Sequence, residues 1–244
     1  MLLYELDNHA GDNVVYNDTL NPKIYDNNDD MRPEVHAALM AVAKNFVADL
    51  DLPNMVVHDI ILTGSSANYN WNKFSDIDLH LISDVDVFAD PHMAAKYFNA
   101  AKNVWNNNHN VDVRGLDVEV YIEDNDEHNE SLGRYSVMND AWIKKPKHNT
   151  PIFDEDAVNR KVRYIMKEID MYMDDGDAAV EDIEHLKLKI WLMRNEGLAK
   201  ARAAGKNGEF SVENLAFKVL RNMGYLDKIL KALADAENEE LSVH

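Results

Sequence analysis

Two short apolar runs joined through a glycine turn constrain this chain most. Met55 to Thr63 (MVVHDIILT) is apolar and β-branched and stops at Gly64-Ser65-Ser66, the layout of a strand that ends in a tight turn. After ten residues that follow Ser65 comes Asp76-Ile77-Asp78-Leu79-His80, and its alternation predicts a second strand over Ile77 to Ile82. On such a strand Asp76, Asp78 and His80 share one face, while Ile77, Leu79 and Leu81 point into a core. Acids at alternate positions lie about 7 Å apart along the backbone, so their heads can converge on cations held about 4 Å from each other. The turn suits phosphate, because small side chains let oxygens approach backbone N–H groups. A helix starting near Ser66 would add its positive end to the same place.

Around this pair of runs the pattern is mixed. Residues 1–30 are rich in Asn and Asp and read as a surface arm with one short strand at Leu2 to Leu6. Asp30 as a cap, Pro33, and Val35, Leu39, Val42, Ala43, Phe46 and Leu50 at helical spacing predict an amphipathic helix ending near Asp51. Asp90-Pro91 opens another helix, to about Asn106. Val111 to Arg114, a turn at Gly115, and Asp117 to Ile122 read as a hairpin. Beyond Pro146 and Pro151 the pattern turns helical, with segments near 154–174, 178–203 and 211–235, the last capped by Ser211. The expected organisation is an arm over 1–30, a mixed α/β catalytic domain over 31–150 and an all-helical domain over 151–244.

Charge separates the two ends. Residues 1–133 carry 7 Lys+Arg against 24 Asp+Glu, whereas the stretch from Lys187 to Lys231 carries ten basic and four acidic residues. A net charge of −19 argues against nonspecific coating of nucleic acid. The chain has no cysteine, which removes disulfides and thiolate ligands and leaves oxygen and imidazole donors, a set suited to a hard cation such as magnesium. No apolar run approaches the roughly 18 residues of a membrane span, and the start lacks a signal-peptide layout. A cytoplasmic protein is expected. The oligomeric state is not legible.

The Gly-Ser turn, the ten-residue interval and the acid-apolar-acid strand together resemble the nucleotidyltransferase superfamily that includes DNA polymerase beta, the CCA-adding enzymes and the cyclic-dinucleotide synthases. The likeness runs from Ile60 to Glu119. From Asn68 through Tyr121 the chain also looks like nucleotidyltransferase-like proteins of bacteriophages, which implies a host cytoplasm as its location. The resemblance implies an α+β fold: a mixed nucleotidyltransferase sheet with flanking helices, followed by the helical domain. It implies that Asp76 and Asp78, with a third acid from a neighbouring strand, bind two magnesium ions, manganese being an alternative. Asp117 and Glu119 both qualify by parity, and Glu119 is favoured because valines flank it. Gly64, Ser65 and Ser66 would cradle the phosphates of ATP or another nucleoside triphosphate. Ser136 would contact the nucleotide, and Lys145, or its neighbour Lys144, the leaving pyrophosphate. The acceptor hydroxyl is expected on RNA, tRNA-like ends included, or on DNA, held by the basic stretch 187–231. A small molecule or a protein hydroxyl is the alternative.

Plainer readings stand beside these. His80 can serve a structural hydrogen bond, and Tyr69, Trp71 and Phe74 can anchor their loop rather than stack on a base. Arg134, in Gly133-Arg134-Tyr135-Ser136, can be an exposed turn residue. The basic stretch can be the solvated side of helices whose core is Ile190, Trp191, Leu215, Phe217, Leu220 and Leu230. A catalytically silent nucleotide-binding protein and a metal-dependent nuclease are the functional rivals.

Overall fold

Pro33 fixes the first helix, because its ring presets the helical φ and its missing N–H costs nothing at a helix start. The computed structural model describes residues 15–84, 90–125, 131–148, 151–174, 179–206 and 208–242, and the chain divides into two compact units, one over Tyr16–Asn149 and one that groups Thr150–His244 with Met1–Val15. In the first unit α1 (Pro33–Leu50) is capped by Arg32 without a side-chain hydrogen bond. The expected capping Asp30 lies two residues too early and instead donates its N–H to Asp26 Oδ1 at 3.1 Å. The six apolar positions that predicted α1 are the ones it buries. All but Ala43 contribute about 1.5–3 kcal/mol each by leaving water.

The sheet runs β3-β2-β1-β4-β5, formed by β1 (Val57–Thr63), β2 (Ile77–Ser83), β3 (Val118–Asp124), β4 (Arg134–Ser136) and β5 (Ala141–Lys144). β1 is antiparallel to β2 and β4, and β4 to β5, whereas β2 and β3 run parallel. One face packs Ile60, Leu62, Ile77, Leu79, Leu81, Val118 and Val120 against α1. Leu20, Ile24 and Tyr25 are buried in the same core, so this part of the expected arm packs as core, while Leu2 to Leu6 lie outside the described residues. The parallel pair is joined through α2 (Pro91–Asn108), whose Asp90 cap accepts from the His92 N–H. α2 also covers the open edge of β3: the Asn106 side chain exchanges hydrogen bonds with Val120 N and O at 3.0 and 3.2 Å, which blunts an edge that could otherwise pair with another chain.

The expected hairpin forms only around its turn, where Val113 and Leu116 exchange backbone hydrogen bonds and Val118 N donates to Val111 O. Asp112 and Asp117 keep a single bridge, and β3 takes β2 as its partner because that pairing sets two valines on the core side. β4 and β5, with three and four residues, are too short for alternation to reveal.

The second unit is helical: α3 (Glu155–Asp174), α4 (Val180–Ala203), α5 (Val212–Asn222) and α6 (Tyr225–Leu241). Ser211 caps α5 by accepting from Asn214 N. The helix expected over 211–235 is broken at Gly224, whose φ of 77° a glycine adopts without steric cost. The break resets the helical phase, so Leu226, Ile229 and Leu233 are buried while Leu230 is exposed. Trp191, also expected in the core, is partly buried and meets Phe217 edge-on at 5.4 Å. No helix among the described residues is long and apolar enough to cross a membrane.

Candidate nucleotidyltransferase site

The sheet face opposite α1 carries the acids. Asp78 on β2 stands directly beside Glu119 on β3 in the parallel register, and Asp76 immediately precedes β2. Ligand oxygens of Asp76, Asp78 and Glu119 all lie within 4.8 Å of one another, and all three residues are partly exposed. Three carboxylates this close repel, so the arrangement is one that a divalent cation stabilises, and an all-oxygen donor set fits a hard ion. Asp117 does not join the group: it is exposed and spends its carbonyl on Ile77 N at 2.8 Å.

The glycine turn is built against the same acids. Gly64 takes φ 71° and ψ −154°, a region essentially restricted to glycine. Thr63, one residue earlier, pairs with Asp78 across β1 and β2. The helix expected from Ser66 is a single 3-10 turn, Ser65–Ala67, too short for a macrodipole. Its Ala67 and Asn68 N–H groups close on Gly64 O and Ser65 O.

The expected phosphate and nucleotide contacts separate into different places. Ser65 Oγ meets Ser75 Oγ at 2.9 Å, in the loop that leads to Asp76. Ser66 is fully buried and its hydroxyl donates to the Asp76 carbonyl, so it holds the acid strand rather than a ligand. Ser136 is also buried, donating to Asp59 Oδ1 at 2.6 Å. Lys145 pairs with Asp29 at 2.7 Å, a hydrogen bond that raises the ammonium above its ordinary value, and Lys144 donates to Ser131 O.

The aromatic residues of the intervening loop mostly anchor it. Tyr69 is buried, tilted against Tyr16 and edge-on to His148, and Trp71 Nε1 donates to Thr19 O. Phe74 stays exposed, with Lys73 Nζ 4.9 Å from its ring. His80 has the structural role: Nδ1 lies 3.0 Å from the buried Glu123. Arg134 reaches the same carboxylate at 3.4 Å, so it is a partner of a buried acid and not an exposed turn residue. In the second unit, Lys189, Lys200, Lys218 and Lys228 are each paired with an acid, and Arg194 is held by Asn214 and the Phe217 ring.

Sequence reasoning passed over Tyr121. Its hydroxyl donates to Glu119 Oε2, and burial, then that bond, then the charges of Asp78, Glu119 and Asp76 push the phenol well above its ordinary range. Its parity with Glu119, two residues apart on one strand, was the signal available.

The family profile described as Nucleotidyltransferase domain matches residues 41–164, about half of the chain. The chain belongs to this nucleotidyltransferase family. Nucleotidyl transfer is thereby its general activity, and the match spans the turn, all five strands and the start of α3. A solved structure, a STING-associated CdnE c-di-GMP synthase from Capnocytophaga granulosa, is similar at 14% identity, covering 88% of this chain and 70% of that one, with a TM-score of 0.21. That score is too low to carry an argument about this chain. No curated protein sequence matches it.

Proposed function

We propose that this nucleotidyltransferase moves a nucleoside monophosphate from a triphosphate, such as ATP, to an acceptor hydroxyl with release of pyrophosphate. The supporting observation is the convergence of Asp76, Asp78 and Glu119 within 4.8 Å. These residues would hold two magnesium or manganese ions, which supply charge neutralisation and a lowered pKa for the acceptor hydroxyl when bound. The acceptor hydroxyl gives its proton to solvent as its oxygen forms a bond to the α-phosphorus, the bond from that phosphorus to the bridging oxygen breaks, and pyrophosphate departs with the electron pair. The role of the chain is to position these atoms in line. Gly64 and Ser65 are the turn residues assigned to the β and γ phosphates. We assign the chemistry to residues 31–150 and leave 151–244 as the helical domain.

For the acceptor we take an RNA end first. Its support is the basic stretch 187–231, narrowed by the engagement of five of its cations within the helical unit. A labelled triphosphate, magnesium or manganese, and RNA, protein and small-molecule acceptors, run beside Asp76→Ala with Asp78→Ala, test the reading. Labelled acceptor and free pyrophosphate with the wild type alone are expected. Triphosphate binding without turnover would instead favour a silent nucleotide-binding protein, and cleavage of RNA without triphosphate a nuclease.

A further inference from the structure

Tyr121 ties the third acid to the rest of the sheet face. It lies two residues beyond Glu119 on β3 and shares its face, and its hydroxyl donates to Glu119 Oε2. Two neighbours lie against the ring. His80 of β2 stacks on it, with centroids 4.8 Å apart and planes 18° from parallel. Lys102 of α2 places Nζ 4.5 Å from the ring centroid. His80 is fixed in turn by Glu123 at 3.0 Å, and Glu123 by Arg134 of β4 at 3.4 Å. Residues from β2, β3, β4 and α2 therefore determine where one hydroxyl sits.

That hydroxyl matters because glutamate is the loosest ligand of the three. Its side chain has three torsions, and ordering it around a cation ordinarily costs their freedom. A hydrogen bond to Oε2 fixes the carboxylate in advance and leaves Oε1 and a lone pair of Oε2 for a ligand. The partners of metal-bound carboxylates act on affinity in this way.

The geometry points to Tyr121 as the positioning residue of the cation site, orienting Glu119 toward Asp76 and Asp78. The inference rests on the reading of those three acids as a divalent-cation site. Tyr121 does not touch the reacting atoms. It acts through Glu119.

Tyr121→Phe keeps the ring against His80 and Lys102 and removes only the hydroxyl. Mn2+ alone serves as probe, with free ion counted by electron paramagnetic resonance during titration of the full chain. The variant is expected to melt as the wild type does without metal, and to bind the weaker Mn2+ about tenfold less tightly. Combined with Glu119→Gln it should weaken binding no further than Glu119→Gln does alone. Replacement of Tyr121 by 4-aminophenylalanine, which restores a donor at the same point, should recover part of the affinity. A packing role would not give that rescue. Unchanged Mn2+ affinity in Tyr121→Phe, or additive losses in the double variant, overturns the inference while leaving the cation site standing. A wild-type chain that binds no Mn2+ removes the functional reading itself, and this inference with it.

Discussion

Gly64 and Asp78 compete for one space: a Cβ on residue 64 would lie 2.1 Å from Asp78 Oδ2. The glycine turn and the acid strand are thus one construction, in which the missing side chain of the first makes room for the carboxylate of the second.

Gly64→Ala is expected to strain both. Its φ of 71° with ψ −154° costs about 1–3 kcal/mol for a residue with a Cβ, and the methyl must displace Asp78. Urea unfolding should show the loss, and Mn2+ affinity should fall with it. A variant that unfolds at the wild-type midpoint and binds Mn2+ normally would contradict the contact.

Asp78→Asn should separate stability from activity. Removing one of three carboxylates held within 4.8 Å relieves like-charge repulsion, worth roughly 1 kcal/mol per pair where bulk water screens the charges and more where the dielectric is lower. The metal-free variant is expected to be slightly more stable than the wild type, and nucleotidyl transfer to fall about a thousandfold or more. Thermal melts in chelator and pyrophosphate release measure the two effects.

Arg134→Met takes from Glu123, only 5% exposed, a guanidinium 3.4 Å away and leaves His80 Nδ1 at 3.0 Å. Breaking a buried pair from one side costs about 3 kcal/mol, although Arg134 Nε itself lies buried without a hydrogen-bond partner. Glu123→Leu added to Arg134→Met should recover most of that loss in chemical denaturation. Failure to recover it would place the Arg134 contribution in packing rather than charge.

The helical unit carries a pH signature. Burial raises the Glu213 carboxyl, but the hydrogen bond from Lys161 at 2.6 Å, the bond from its own backbone N–H and the charges of Lys161 and Lys200 together outweigh it and hold the group below its ordinary 4.5. A depressed carboxyl stabilises the fold above its unfolded value and loses that contribution as pH falls through the folded one. Glu213→Gln is therefore expected to cost about 1 kcal/mol or less at pH 7. The difference from wild type should vanish below the carboxylate range when unfolding is followed from pH 7 to pH 3.

Much of this was legible before any coordinates. The stripe of α1 and the alternation of β2 are local periodicities, and each reports which side of an element meets the core. The Asp76 and Asp78 pair followed from the same alternation. Glu119 was preferred to Asp117 on its flanking valines, and the register of β3 beside β2 puts it next to Asp78. Ser66, Ser136 and Lys145 were chosen for side-chain chemistry and nearness in sequence. Such a choice cannot see that Asp76 O, Asp59 and Asp29 take their hydrogen bonds.

The sequence by itself determined which residues alternate, where the chain must turn and which acids share a strand face, because these depend on neighbours a few residues apart. Tertiary structure alone decided that β3 would pair along its whole length with β2, and with the segment before it only at its start. It also decided that Leu20, Ile24 and Tyr25 would close the core, and that Tyr121 would hold Glu119. Those outcomes depend on which distant surfaces bury the most apolar area together while satisfying their polar groups. No window along the chain contains both partners of such a contact.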